Sequence, residues 1–307
     1  MPQAPQPDDL HPSGSELHDL VLDPTAPESL EQALDHAWTR HEAGAPDQAL
    51  AVLAQLDAAL ADQPLAGYLA GERARLGVEA HLALLDLTGA QRALAAAEAR
   101  PSSAAPAPDD DHNLCIARGE LALATWELEP AEAAFAAILE LPHFDAPFRI
   151  AHDRLALIAD VAGRFDQADT HFAASHGRPA VRLAEADFEA EVERALQALP
   201  PPFQAVFERV PLVLDDMPTR ELATAGGHNP LEVPADVLGL FLGPSDLDRS
   251  SFEFPTHPAH IRLFQRNIER IAETREHLAE EITTTLYHEL GHALGHDEDG
   301  VDAMGLH

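Results

Sequence analysis

The chain has no lysine. All 19 of its basic residues are arginine, against 53 acidic residues, which gives a formal charge of -34 and a pI near 4.6. A field of that sign repels the phosphates of nucleic acid and the anionic face of a membrane, so neither is expected as a partner. Cysteine is nearly absent, and the single Cys115 excludes an intramolecular disulfide. No apolar run is long enough to span a bilayer, and the start MPQAPQPDDLHPSGS lacks the basic and apolar regions of a secretion signal. A cytoplasmic protein is expected. Aromatic residues make up only 5% of the chain. Alanine-rich runs such as ALAAAEA and LALATWELEPAEAAFAAIL suit helices packed at close approach.

A length of 307 residues leaves room for two domains, each with its own core. Residues 1–27 are rich in Pro, Asp, Ser and Gln and are expected to form a disordered tail, because they cannot bury enough surface to offset ordering entropy. Residues 28–176 carry apolar positions at helical spacing, interrupted by the loop-like PSSAAPAPDDD at 101–111. Cys115 falls in this array and is expected as a small core residue.

Three segments of the array resemble one another: HEAGAPDQALAVLAQL, TWELEPAEAAFAAILEL and DVAGRFDQADTHFAAS. In each a turn-forming break precedes a small residue (Ala49, Ala131, Ala168), with a bulky one four later (Leu53, Phe135, Phe172). The small residue lets two antiparallel helices approach, and the bulky one fills the groove between them. The pattern is tetratricopeptide-like, and the segment LTGAQRALAAAEA reads as out of phase with it. From about 181 onward the texture changes. The helical AEADFEAEVERALQALP and PPFQAVFERV are followed by three short apolar runs, VPLVLDD, VLGLFLG and HIRLF, bounded by Pro, Gly or Asp and expected as strands. A last helix is expected from roughly Thr274 to Leu294.

That helix carries YHELGHALGHDEDG, residues 287–300. His288 and His292 lie four apart, on one helical face, so both imidazoles can reach one zinc ion. Glu289 projects beside that ion, where the H-E-x-x-H pattern uses a glutamate as general base toward water. Gly295 is placed to end the helix and turn the chain back. Behind it stand Asp297, Glu298 and Asp299, at a helix end whose dipole disfavours anions unless a cation is bound. Other histidines, among them His228, His257, His260 and His277, lack ligand spacing and read as surface or structural residues. The Asp215–Asp216 pair reads as a solvated turn.

The ordered segments ADFEAEVERALQALP, VPLVLDDMP, LGLFLG, PAHIRLFQRNIE and LYHELGHALGHDEDGVDAMGL make residues 181–307 resemble the bacterial minimal-zincin family of zinc metallopeptidases. The resemblance implies a zinc ion held by His288, His292 and an acidic residue three after the glycine. That residue is usually Asp and here is Glu298, with Asp297, Asp299 and His296 as alternatives. The expectation is thus a multidomain chain: an N-terminal all-α tetratricopeptide-like array and a C-terminal α+β minimal zincin domain. Its function would be zinc-dependent hydrolysis of a peptide or protein substrate, with Glu289 catalytic and the helical domain holding a protein partner. The alternative is a scaffold whose zinc domain is structural or inactive.

Overall fold

The computed structural model describes residues 23, 25–60, 65, 67–99, 108–207, 209–224, 229–243 and 259–296. The expected tail lies outside these residues, apart from its last few positions. By packing, the chain divides into Met1–Leu121 and Ala122–His307. The boundary expected between 176 and 181 is therefore not where packing separates the chain.

The first unit is helical. Helices α1 (Pro27–Glu42), α2 (Pro46–Leu60), α3 (Gly67–Ala83) and α4 (Leu87–Glu98) lead into α5 (Pro108–Ala124). Leu30 and Leu34 of α1 meet Val52, Leu53 and Leu56 of α2 and Leu69 and Leu76 of α3 in one core. A smaller cluster joins Val78, Ala90 and Ala117. Helix α5 begins inside the stretch expected as a loop, at Pro108, a residue whose fixed φ and missing N–H suit the first helical turn. Residues 101–107 of that stretch lie outside the described residues. Cys115 sits on α5 and is only half-buried, not a core residue.

The hairpin turns repeat a backbone feature. Gly44, Leu85, Trp126 and Gly163 all have positive φ, and each precedes by five residues a fully buried alanine: Ala49, Ala90, Ala131 and Ala168. LTGAQRALAAAEA is therefore in phase with the other three segments, contrary to its reading from sequence. Its turn holds Leu85 where the first and last turns hold glycine, and its bulky position is Leu94, only partly buried. Both substitutions weaken the sequence signal while leaving the hairpin intact.

In the second unit, α6 (Leu128–Ile138), α7 (Asp145–Val161) and α8 (Phe165–His176) precede α9 (Glu185–Ala198) and α10 (Pro201–Phe207). Strand β1 (Leu212–Asp215), α11 (Arg220–Thr224), β2 (Gly239–Leu242) and β3 (His260–Phe264) follow, then α12 (Gln265–Ile271) and α13 (Arg275–Leu294). All three expected strands are present. They form a mixed sheet in the order β1-β3-β2, with β1 parallel and β2 antiparallel to β3. Helix α13 lays Leu278, Ile282, Leu286, Leu290 and Ala293 along the sheet, one residue per turn. Phe188 and Val192 of α9 close one end of this core.

Helices α7 and α8 are tied to α12 by buried charge. Arg266 donates from Nε to Asp160 Oδ1 at 2.5 Å and from Nη2 to Asp169 Oδ1 at 2.9 Å. Arg270 Nη2 lies 3.1 Å from Asp153 Oδ1, and Arg182 Nη1 lies 3.2 Å from Glu269 Oε2. Asp160 and Glu269 are each 1% exposed. Removing the arginine partners of these two would leave buried charge behind, and α7 and α8 belong to the same packing unit as the sheet.

Candidate active site

Helix α13 has a polar cap at each end. Thr274 Oγ1 accepts from the His277 amide at its start. At its end Gly295 takes φ 97°, a left-handed conformation that costs glycine little, while the Gly295 and His296 amides return to the carbonyls of His292 and Gly291. The helix therefore stops where the glycine was expected to stop it, one turn beyond the histidines.

Within the last two turns, His288 Nε2 and His292 Nε2 stand 3.1 Å apart, with ring centroids 4.8 Å apart. Two nitrogens each about 2.05 Å from one tetrahedral ion would be separated by roughly 3.3 Å, so the pair fits zinc with little movement. A further contact fixes the chemistry of the second ring. His292 Nδ1 lies 3.1 Å from the His296 carbonyl, which can only accept, so Nδ1 carries the proton and the Nε2 lone pair is left to bind an ion. The turn made by Gly295 brings that carbonyl into place, so one backbone feature both ends the helix and orients the His292 ring.

Glu289 is 5% exposed and lies against the sheet. Its neighbour is Gly239 at the start of β2, where an added Cβ would sit 2.9 Å from Glu289 Cγ and 3.0 Å from Glu289 Oε1. The same Cβ would meet Thr285 Cγ2 at 2.7 Å. Thr285 Oγ1 donates to the Glu281 carbonyl, which turns its methyl toward the strand. Sequence reading singled out neither Gly239 nor Thr285. The available signal was a glycine inside the apolar run LGLFLG, which marks a close backbone approach.

The remaining expected residues divide as follows. Asp297, Glu298 and Asp299 lie outside the described residues, and His296 is exposed with its carbonyl engaged by His292. Among the described residues no group of three or more His, Cys, Asp or Glu side chains converges as a metal site would require. His277 pairs with Glu281 at 2.9 Å, and His260 accepts from Arg262 Nε at 3.3 Å. Asp215 is not merely solvated: it ends β1 and pairs with Arg262 at 2.6 Å. His228 and His257 fall outside the described residues.

No curated protein matches the chain. Residues 207–306 match the sequence model of the zincin-like metallopeptidases, a stretch that spans the whole sheet, α12 and α13. The part of the chain built on this sheet and helix is therefore similar to the zincin-like metallopeptidases.

Proposed function

We propose that the protein is a zinc-dependent peptidase in which His288, His292 and Glu298 hold the ion and Glu289 is the general base. The observation that carries this reading is the 3.1 Å approach of the two Nε2 atoms, with His292 held in the ligating tautomer by the His296 carbonyl. When bound, zinc supplies a Lewis acid that polarises the scissile carbonyl and acidifies water. Glu289 takes the proton of the attacking water as the water oxygen bonds to the carbonyl carbon. The C–N bond then breaks, and Glu289 returns the proton to the departing amine nitrogen. Burial of Glu289 against Gly239 limits the rotamers of its side chain and aims the carboxylate.

Among the described strands β2 is paired on one side only, by β3, and it lies beside α13. Its outer edge suits an extended peptide, which would gain backbone hydrogen bonds there. The helix hairpins are the part of the chain suited to a protein partner. A charge of -34 argues against nucleic acid in either role, and no described helix is long and apolar enough to cross a membrane.

Metal analysis and one substitution test the reading. The purified chain is expected to carry about one zinc, the single site of the H-E-x-x-H pattern. Glu289→Gln should retain that zinc while hydrolysis of a peptide library falls by at least about a hundredfold, the scale of a lost general base. A Glu289→Gln protein as active as the parent removes the mechanism. Zinc bound by a parent that cleaves nothing moves the domain to a structural role within a scaffold.

A further inference from the structure

Trp126 stands at the hairpin turn between α5 and α6 with φ 59°. The first and last turns of the series place glycine there, and a bulky side chain in the left-handed region is strained. Leu85, the other non-glycine residue in the series, is 46% exposed, whereas Trp126 is 2% exposed. The strain at Trp126 accompanies one specific contact: its indole N–H donates to the Val233 carbonyl at 3.0 Å, across 107 residues of sequence.

Val233 follows a 3-10 turn, Pro230–Glu232, and lies six residues before Gly239. Further anchors on this segment come from α12, α7 and β3. The buried Asn267 of α12 donates from Nδ2 to the carbonyls of Ala235, at 2.9 Å, and Val237, at 2.8 Å. Arg154 of α7 lies 3.9 Å from Asp236, and the Phe264 amide holds the Leu238 carbonyl at 2.9 Å. The next residue is Gly239, against which Glu289 is seated. A shift of the segment would carry the Gly239 backbone with it and release the Glu289 side chain.

We propose that Trp126 is a positioning residue for the active site, its indole N–H fixing residues 233–238 and thereby the strand that seats Glu289. It acts through Gly239 and touches no reacting atom. The link makes the α5–α6 turn part of the catalytic machinery, although it lies far outside the stretch that matches the metallopeptidase family. The proposal rests on Glu289 being the base, but its physical core, the coupling of Trp126 to β2, can be read without catalysis.

The test uses the full chain with Trp126→Phe, which keeps a ring and removes the N–H, and Trp38→Phe as a control. Amide exchange at 239–242 should quicken about tenfold in Trp126→Phe, the scale set by leaving one buried carbonyl without its partner. Exchange in α7 and α8, zinc content and KM should stay as in the parent, and kcat should fall by a similar factor. Trp38→Phe should change none of these. Unchanged exchange at 239–242, or acceleration spread evenly over the whole of Ala122–His307, overturns the proposal. If the parent hydrolyses nothing, the peptidase reading fails, while the exchange pattern still decides whether Trp126 holds β2.

Discussion

A methyl group at position 239 would come within 2.7 Å of Thr285 Cγ2 and 2.9 Å of Glu289 Cγ. Both contacts are with side-chain atoms, and the glutamate is the more mobile of the two, so Gly239→Ala should fold and push Glu289 out of its seat. Overpacking of this kind costs about 1–3 kcal/mol in stability. We expect a variant that binds zinc like the parent and has lost most of its turnover; parental turnover would show that Glu289 needs no such seat. The third ligand is settled by comparing substitutions behind Gly295. Glu298→Ala should weaken zinc binding by about tenfold or more, since losing even an outer partner typically costs 10- to 100-fold. Asp299→Ala should change binding little. The reverse order in a competition assay would shift the ligand by one residue. His288, Glu289 and His292 were legible in sequence because their spacing is the helix period itself. Gly239 was not, because its role arises only when a strand 50 residues away packs under that helix.

Helix limits and strands were legible for similar local reasons. Thr274 and Gly295 carry the caps of α13, and the strands VPLVLDD, VLGLFLG and HIRLF are short apolar runs between breakers. The histidine pair inside the α7–α8 hairpin was not legible. His152 and His171 face each other across it with Nδ1 atoms 2.8 Å apart, one donating to the other. Burial lowers both from the ordinary value of 6.5, and for His171 the neighbouring His152 and Arg164 add to this while Glu132 opposes it. A histidine with a depressed folded value takes up its proton later than the unfolded chain does. Between the depressed and ordinary values the unfolded state binds more protons, so stability falls as pH drops below about 6.5. Thermal melts from pH 7.5 to 5 should therefore decline more steeply for the parent than for His171→Gln, which removes one of the two titrations. Parallel slopes would show that the pair does not couple to folding.

The packing division of the chain could not be read from composition, because the helices on either side of Leu121 carry the same alanine-rich texture. What ties α7 and α8 to α12 is a set of charged residues that sequence reading passed over. Asp160 lies within the apolar run LALIADV, and Arg266 and Arg270 lie one turn apart on α12, a pattern that could have hinted at a buried pairing. Burial pushes the Asp160 carboxyl up, against the pull of Arg266, Arg182 and Arg270, so the cluster is costly and depends on completeness. A fragment 181–307, cut where the texture changes, would leave Arg266 and Arg270 without their carboxylates. Removing one side of such a cluster costs about 3–5 kcal/mol. We expect fragment 122–307 to melt cooperatively and fragment 181–307 to melt far lower or not to fold; equal melting temperatures would show that the cluster contributes nothing.

The same cluster imposes an order on synthesis. Asp153, Asp160 and Asp169 leave the ribosome about 100 residues before Arg266 and Arg270, so the α7–α8 hairpin must wait, with its carboxylates still in water, until α12 emerges. Contacts of such separation form late and slowly. Nascent chains stalled before residue 260 should leave the hairpin open to protease, and chains long enough to expose α12 should protect it in one step.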